Sequence, residues 1–221
     1  MSGASCQPGP SPTSRALRLE GLRAADAGAL GELLAQLPEP PWDAEVAVDD
    51  PVAGMLAAHG FETYARMIPM ARSLGGMPRP PGTAFEVVPY RNAWSDAFAE
   101  AQDAAMAELA VAREMGTPTG YETAEGFDAF VVAKEGDRIL GFAQAALPDG
   151  WINWLGVVPE ARRQGLGSVL VGEIAKAVAA ARGTHLAALV EQGTPGQAFL
   201  AKLGFRGKSP RLLMIRRAAA D

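Results

Sequence analysis

One stretch of this 221-residue chain narrows its possible folds more than any other: Leu155 to Leu170, L-G-V-V-P-E-A-R-R-Q-G-L-G-S-V-L. An apolar run that reads as a buried strand stops at Pro159. A short turn carries Arg162, Arg163, Gly165 and Gly167, and an apolar-periodic helix opens directly after it. Glycines let backbone N–H groups come close to a ligand, and the first turn of a helix presents positive potential. Two arginines beside them make a phosphate-bearing ligand the first expectation.

The rest of the chain reads as a series of strands and helices. Leu17 and Leu19 alternate within a strand-like run, and Ala24 to Leu37 has helical apolar spacing with Asp26 in its first turn. Short strands are expected at Glu45 to Val48 and up to Arg72, with a short helix between them ending at Gly60-Phe61. Phe85 to Pro89 reads as a strand and Trp94 to Met115 as one long helix. Glu135-Gly136-Asp137 joins two strands, Phe127 to Lys134 and Arg138 to Leu147, as a hairpin. After the loop come a helix to Ala181 and a strand from His185 to Glu191. A short helix capped by Thr194 and a last strand, Arg211 to Arg216, complete the chain.

A repeat runs through this series. At an offset of 144 and without gaps, Gly60 falls on Gly204 and Phe61 on Phe205. Ala44 falls on Ala188, Val46 on Val190, Pro51 on Pro195 and Leu56-Ala57 on Leu200-Ala201, while Met70 meets Met214 and Arg72 meets Arg216. Asp50 and Thr194 are both capping residues followed by proline at the first helical position. One unit of strand, capped short helix, Gly-Phe and strand is therefore expected twice. Nothing between residues 15 and 75 resembles R-R-Q-G-L-G, so only the second copy can use such a loop.

Composition excludes several functions. A net charge of −5 argues against nucleic acid as the main partner. No window approaches the ~18 uncharged apolar residues that span a membrane. The N-terminus lacks the apolar core of a signal peptide, and the single cysteine, Cys6, permits no internal disulfide, so a cytoplasmic protein is expected. The third position of a dinucleotide-binding G-x-G-x-x-G is Leu170, and no Gly-Lys-Ser/Thr or G-x-S-x-G occurs. His59 and His185 stand apart from any metal-ligand spacing, so no metal is expected.

The strand L-x-V-x-P, the loop Arg162-x-x-Gly165-x-Gly167 and the later F-L-A-K-L-G-F together resemble the GNAT superfamily of N-acetyltransferases. The resemblance covers about residues 84 to 217. It implies an α/β fold with a mixed, mostly antiparallel sheet flanked by helices, and acetyl-CoA as donor. It implies a fourth strand that bulges and splays from the fifth, with acyl-CoA in the gap. Its pantetheine arm would pair with backbone at Leu155, Gly156 and Val157. The pyrophosphate would meet N–H groups of Gln164, Gly165, Leu166, Gly167 and Ser168, with Arg162 and Arg163 nearby. Phe199 and Lys202 match the second motif.

Two positions depart from the pattern. Leu200 stands where the family commonly has a tyrosine acid, and Asn153 where it often has a carboxylate. Glu191 is then the best candidate base, with Glu122 and Tyr121 as further candidates. Trp94, Trp151 and Trp154 are candidates to line an acceptor pocket.

The expected organisation is a disordered tail at 1–14, a truncated GNAT-like subdomain at 15–75, a linker at 76–83 and the catalytic domain at 84–221. The subdomain is expected to hold a first strand and helix followed directly by a domain's end. The expected reaction is acetyl transfer to a primary amine of a small molecule or peptide. The alternative is a non-catalytic acyl-CoA-binding or regulatory module. A monomer is expected, because the N-terminal unit would occupy the edge on which single-domain relatives dimerise.

Overall fold

A computed structural model describes residues 5–10, 17–77, 82, 84–115 and 128–217. A sheet of eleven strands runs through both halves. Its elements in chain order are β1 (Ser5–Pro10), β2 (Leu17–Arg23), α1 (Ala27–Leu34), β3 (Trp42–Ala47), α2 (Pro51–Ala58) and β4 (Glu62–Ser73). Then follow β5 (Glu86–Pro89), α3 (Ser95–Met106), α4 (Ala110–Met115), β6 (Asp128–Glu135), β7 (Arg138–Ala146) and β8 (Trp151–Val157). The chain closes with α5 (Leu166–Ala180), β9 (His185–Glu191), α6 (Pro195–Lys202), β10 (Arg206–Gly207) and β11 (Arg211–Arg216). No helix among the described residues is long and apolar enough to cross a membrane.

The strand order is β1-β2-β3-β11-β4-β9-β8-β7-β6-β5, with β10 paired to β4. All neighbouring pairs are antiparallel except β2 with β3 and β8 with β9. The ends of the chain are interleaved at the centre. The last strand, β11, lies between β3 and β4, and β4 lies between β11 and β9. Neither β3 nor β9 pairs with the strand that follows it in sequence.

The registers follow the offset of 144. Ala47 faces Arg211, and Glu191 faces Met67; this is one contact displaced by 144 positions. The match continues through Trp42 with Arg216 and Leu186 with Arg72. Helices α2 and α6 superpose end to end at that offset. Asp50 accepts from the Val52 N–H at 2.9 Å and Thr194 from the Gln197 N–H at 3.4 Å. Each helix stops at a glycine with positive φ, +81° at Gly60 and +86° at Gly204, where a side chain would be strained. Phe61 and Phe205 follow, both buried.

The sheet alternation sorts the helices. Leu212 and Met214 join α1 and α2 in one apolar cluster, whereas Leu213 joins Ala65, Met67 and α4. Phe142 packs on Phe98 of α3, while its neighbour Gly141 lies under Leu166 and Leu170 of α5. Helices α1, α2, α5 and α6 therefore cover one face, and α3 with α4 the other.

Three expectations change. The tail expected to be disordered contributes β1, antiparallel to β2. The helix expected over Trp94 to Met115 is divided, with α3 ending at Met106 and α4 starting at Ala110. No proline or glycine lies in that interval, so the break has a tertiary cause. The N-terminal unit is also composed differently. Its strand and helix before β3 occupy the places that β8 and α5 occupy before β9, since β2 runs parallel to β3 as β8 does to β9. They are not counterparts of a domain's first strand and helix. The connection is shorter, with 25 positions from Leu19 to its neighbour Ala44 against 36 from Ile152 to Ala188.

Candidate functional site

The site is built where β8 leaves β9. The two strands pair only at Trp151 with Ala187 and Ile152 with Ala188. Beyond that point β8 continues on β7 to Val157, and β9 continues on β4 to Glu191. Asn153 is the extra residue of a bulge, because Trp154 faces Gln144 while Ile152 faces Ala145. A bulge adds local twist and turns a strand away from its neighbour. The two parallel strands therefore part beyond Ile152 and Ala188, which leaves a gap between their carboxyl ends.

Gly156 is required there by contact. A Cβ at this position would sit 2.3 Å from Cζ of Phe142, its partner on β7. Phe142 is fully buried and held edge-on against Phe98 at 5.1 Å. Leu155, Gly156 and Val157 thus form a strand edge whose position is set by an aromatic cluster beneath it.

The loop leads from that edge to α5. Pro159 to Ala161 form one 3-10 turn, Arg163 takes φ +64° and Gly165 takes φ +80°. Left-handed conformations cost a residue with a Cβ roughly 1–2 kcal/mol, which gives Gly165 its role. No side chain caps the N-terminus of α5. The first N–H groups of any helix lack intrahelical acceptors, so those of Leu166 and Gly167 are left for another partner with the dipole behind them. Phe199 of α6 packs on Gly167, where a Cβ would meet the ring at 3.0 Å. Gly167 therefore joins the two motifs physically.

The N-terminal unit provides a comparison inside the same chain. In the equivalent place, before α1, stands Asp26, whose carboxylate accepts from the Ala29 N–H at 2.9 Å. A carboxylate already occupies that helix N-terminus and would repel a phosphate.

Arg162 faces away from the α5 N-terminus. Its Nε donates to Val157 O at 3.1 Å, its Nη2 to Ala105 O at 3.2 Å and its Nη1 to Glu108 at 3.3 Å. Arg163 is exposed, and Gln164 donates to Glu160 O. The Ser168 N–H is engaged by Gly165 O at 3.0 Å. Lys202 is exposed in the last turn of α6. Glu191 ends β9 beside the gap, and its Oε2 accepts from the Val111 N–H at 3.3 Å in the first turn of α4. Leu200, only 3% exposed, belongs to the core, and Asn153 is exposed on the bulge. Trp154 shares the α3 face with Gln144, Trp151 is exposed, and Trp94 lies under Lys134 of β6, two strands from β8. Tyr121 and Glu122 lie outside the described residues.

Sequence reasoning missed Glu108 and Gln102. Gln102 is 1% exposed on α3, and its amide has no hydrogen-bond partner among the described residues. Its spacing of four from Phe98 was a helical-core signal.

Comparison with known proteins agrees with this geometry. Residues 126–207 match the family model described as the acetyltransferase (GNAT) domain. A GCN5-related N-acetyltransferase from Sphaerobacter thermophilus superposes with a TM-score of 0.61 at 17% identity, covering 99% of this chain and 78% of that one. A GCN5-related N-acetyltransferase from Kribbella flavida gives 0.62 at 17% identity, covering 92% and 82%. A tandem GNAT protein from the clavulanic acid biosynthesis pathway gives 0.62 at 15% identity, covering 94% and 77%. No curated protein matches the chain. Residues 126–207 are thus similar to the GNAT acetyltransferase domain, and the chain has a mixed α/β GNAT-like fold, whose mostly antiparallel sheet is flanked by helices.

Proposed function

We propose that this chain transfers an acetyl group from acetyl-CoA to a primary amine of a small molecule or peptide. The observation that carries the reading is the uncapped N-terminus of α5, set at the mouth of the β8–β9 gap. It is supported by the opposite state of α1, which Asp26 closes in the same chain. N–H groups of Gln164 to Gly167 would hold the pyrophosphate, since that of Ser168 is engaged by Gly165 O, the Leu155 to Val157 edge would hold the pantetheine arm, and Phe199 would wall the loop.

The chemistry follows from that placement. The amine nitrogen attacks the thioester carbonyl, the C–S bond breaks and CoA leaves as thiolate. A backbone N–H near Gly156 or Val157 would stabilise the oxyanion. The extra proton on nitrogen passes to Glu191 or to water, and proximity supplies most of the acceleration. Tyr121 and Glu122 remain further candidates for proton transfer.

We also propose that the N-terminal unit is a degenerate sister of the second, which makes the chain a tandem type with one donor site. Its strands continue the sheet edge, which supports a monomer, and the single cysteine supports a cytoplasmic setting.

The test is acetyl-CoA titration by calorimetry on the wild type and on Gly165→Glu, followed by an amine panel read by free-thiol release. Micromolar binding lost in the variant is the expected result, and equal affinity would sink the loop assignment. A second reading, a non-catalytic acyl-CoA-binding module, is favoured by buried Leu200 and by Asn153. Thiol release with any amine would eliminate it.

A further inference from the structure

The α3–α4 junction is tied to both walls of the gap. The chain breaks its helix between Met106 and Ala110 although the local sequence, A-E-L, favours helix. On the near side, Arg162 follows β8. It donates to Ala105 O, one of the α3 carbonyls that has no intrahelical donor, to Glu108 within the junction, and to Val157 O at the end of β8. On the far side, Glu191 ends β9 and accepts from Val111 N–H, in the first turn of α4. Each side chain satisfies one of the two helix ends that the break creates. A cation meets the negative end of α3 and an anion the positive end of α4.

The guanidinium fork matters here. Three directed donors reach three acceptors on three segments, which a lysine ammonium on a flexible stem cannot reproduce. Val111 and Ala110 also pack with Leu189 and Met67 on the face opposite α5, so the junction crosses the gap on the side away from the donor loop.

We propose that Arg162 is a positioning residue that, opposite Glu191 Oε2, holds the junction, residues 105–111, as a strap across the gap on the side away from the donor loop, which leaves Glu191 Oε1 free for the proton transfer proposed above. Arg162 makes that strap sense the donor loop in which it sits. This rests on the reading above that the loop takes acetyl-CoA. Arg162 is then no pyrophosphate ligand: its charge is spent on the strap.

The experiment is hydrogen exchange by mass spectrometry on wild type, Arg162→Gln and Arg162→Lys, with and without CoA, alongside acetyl-CoA calorimetry. In wild type, CoA slows exchange at both 164–168 and 105–114. In both variants 105–114 exchanges about tenfold faster, and CoA no longer slows it, while slowing at 164–168 persists. Acetyl-CoA affinity stays within about threefold. Lost affinity in Arg162→Gln with rescue by Arg162→Lys, and unchanged exchange at 105–114, would overturn the proposal in favour of a phosphate ligand. If wild type binds no acetyl-CoA, the donor reading fails instead. Faster exchange at 105–114 in the free variants would still support the strap, and unchanged exchange would refute it.

Discussion

Gly156→Ala is the most demanding test of how the gap is built. The new methyl would lie 2.3 Å from Phe142 Cζ and 2.9 Å from Cε1. Carbon atoms rest about 3.5–4.0 Å apart, so ring or strand must shift by more than about 1 Å. The ring has nowhere to go, being fully buried and held by Phe98. Overpacking of this kind costs about 1–3 kcal/mol, and the distances place this case toward the upper end. That is a sizeable share of the ~5–15 kcal/mol that holds a domain folded. Because the strand edge is proposed to carry the donor, acetyl-CoA affinity should fall with it.

A double-mutant cycle isolates the cause. Leucine ends at Cδ and lacks the ring atoms that meet the methyl, so Phe142→Leu opens the required space. Alone it should cost about 1–2 kcal/mol of burial. Urea unfolding should find the double variant more stable than the sum of the singles by at least ~1 kcal/mol. Costs that add to within ~0.5 kcal/mol would refute the steric account, as would a single variant of wild-type stability.

Other predictions concern separate contacts. Gly165→Ala should lose roughly 1–2 kcal/mol in urea unfolding through its left-handed backbone yet still bind acetyl-CoA, separating strain from the charge added by Gly165→Glu. Asp26→Ala should cost about 1 kcal/mol of stability through the lost cap, with calorimetry still giving one acetyl-CoA per chain because the short α1 connection has no loop like that at α5. Burial pushes the Tyr90 phenol above its ordinary value. The unfolded chain releases that proton first, so the stability Tyr90 contributes is complete below about pH 10 and declines as pH rises from there toward the folded value. Denaturation followed between pH 9 and 12 should show that loss, and Tyr90→Phe should flatten it.

Much of this molecule is decided locally. Asp50-Pro51 and Thr194-Pro195 start helices and Gly60 and Gly204 stop them, because caps and positive φ act within a few residues. The same is true of the donor loop, whose Gly165 and following helix were legible in the sequence. What stands beside each element was not legible. The repeat at an offset of 144 pointed to two similar units but not to β11 and β4 trading places at the centre, since ladder hydrogen bonds carry no residue identity. Nor did it show that β2 and α1 stand where β8 and α5 stand.

The site divides along the same line. The sequence by itself determined the strand, loop and helix proposed to take a phosphate, because turn chemistry and helix polarity are short-range properties. Only the tertiary structure decided that Arg162 turns away from that loop and that α3 and α4 part without a proline or glycine. Those outcomes depend on pairing Arg162 with Ala105 and Glu191 with Val111, 57 and 80 positions apart in sequence and brought within hydrogen-bond reach only once the sheet has formed.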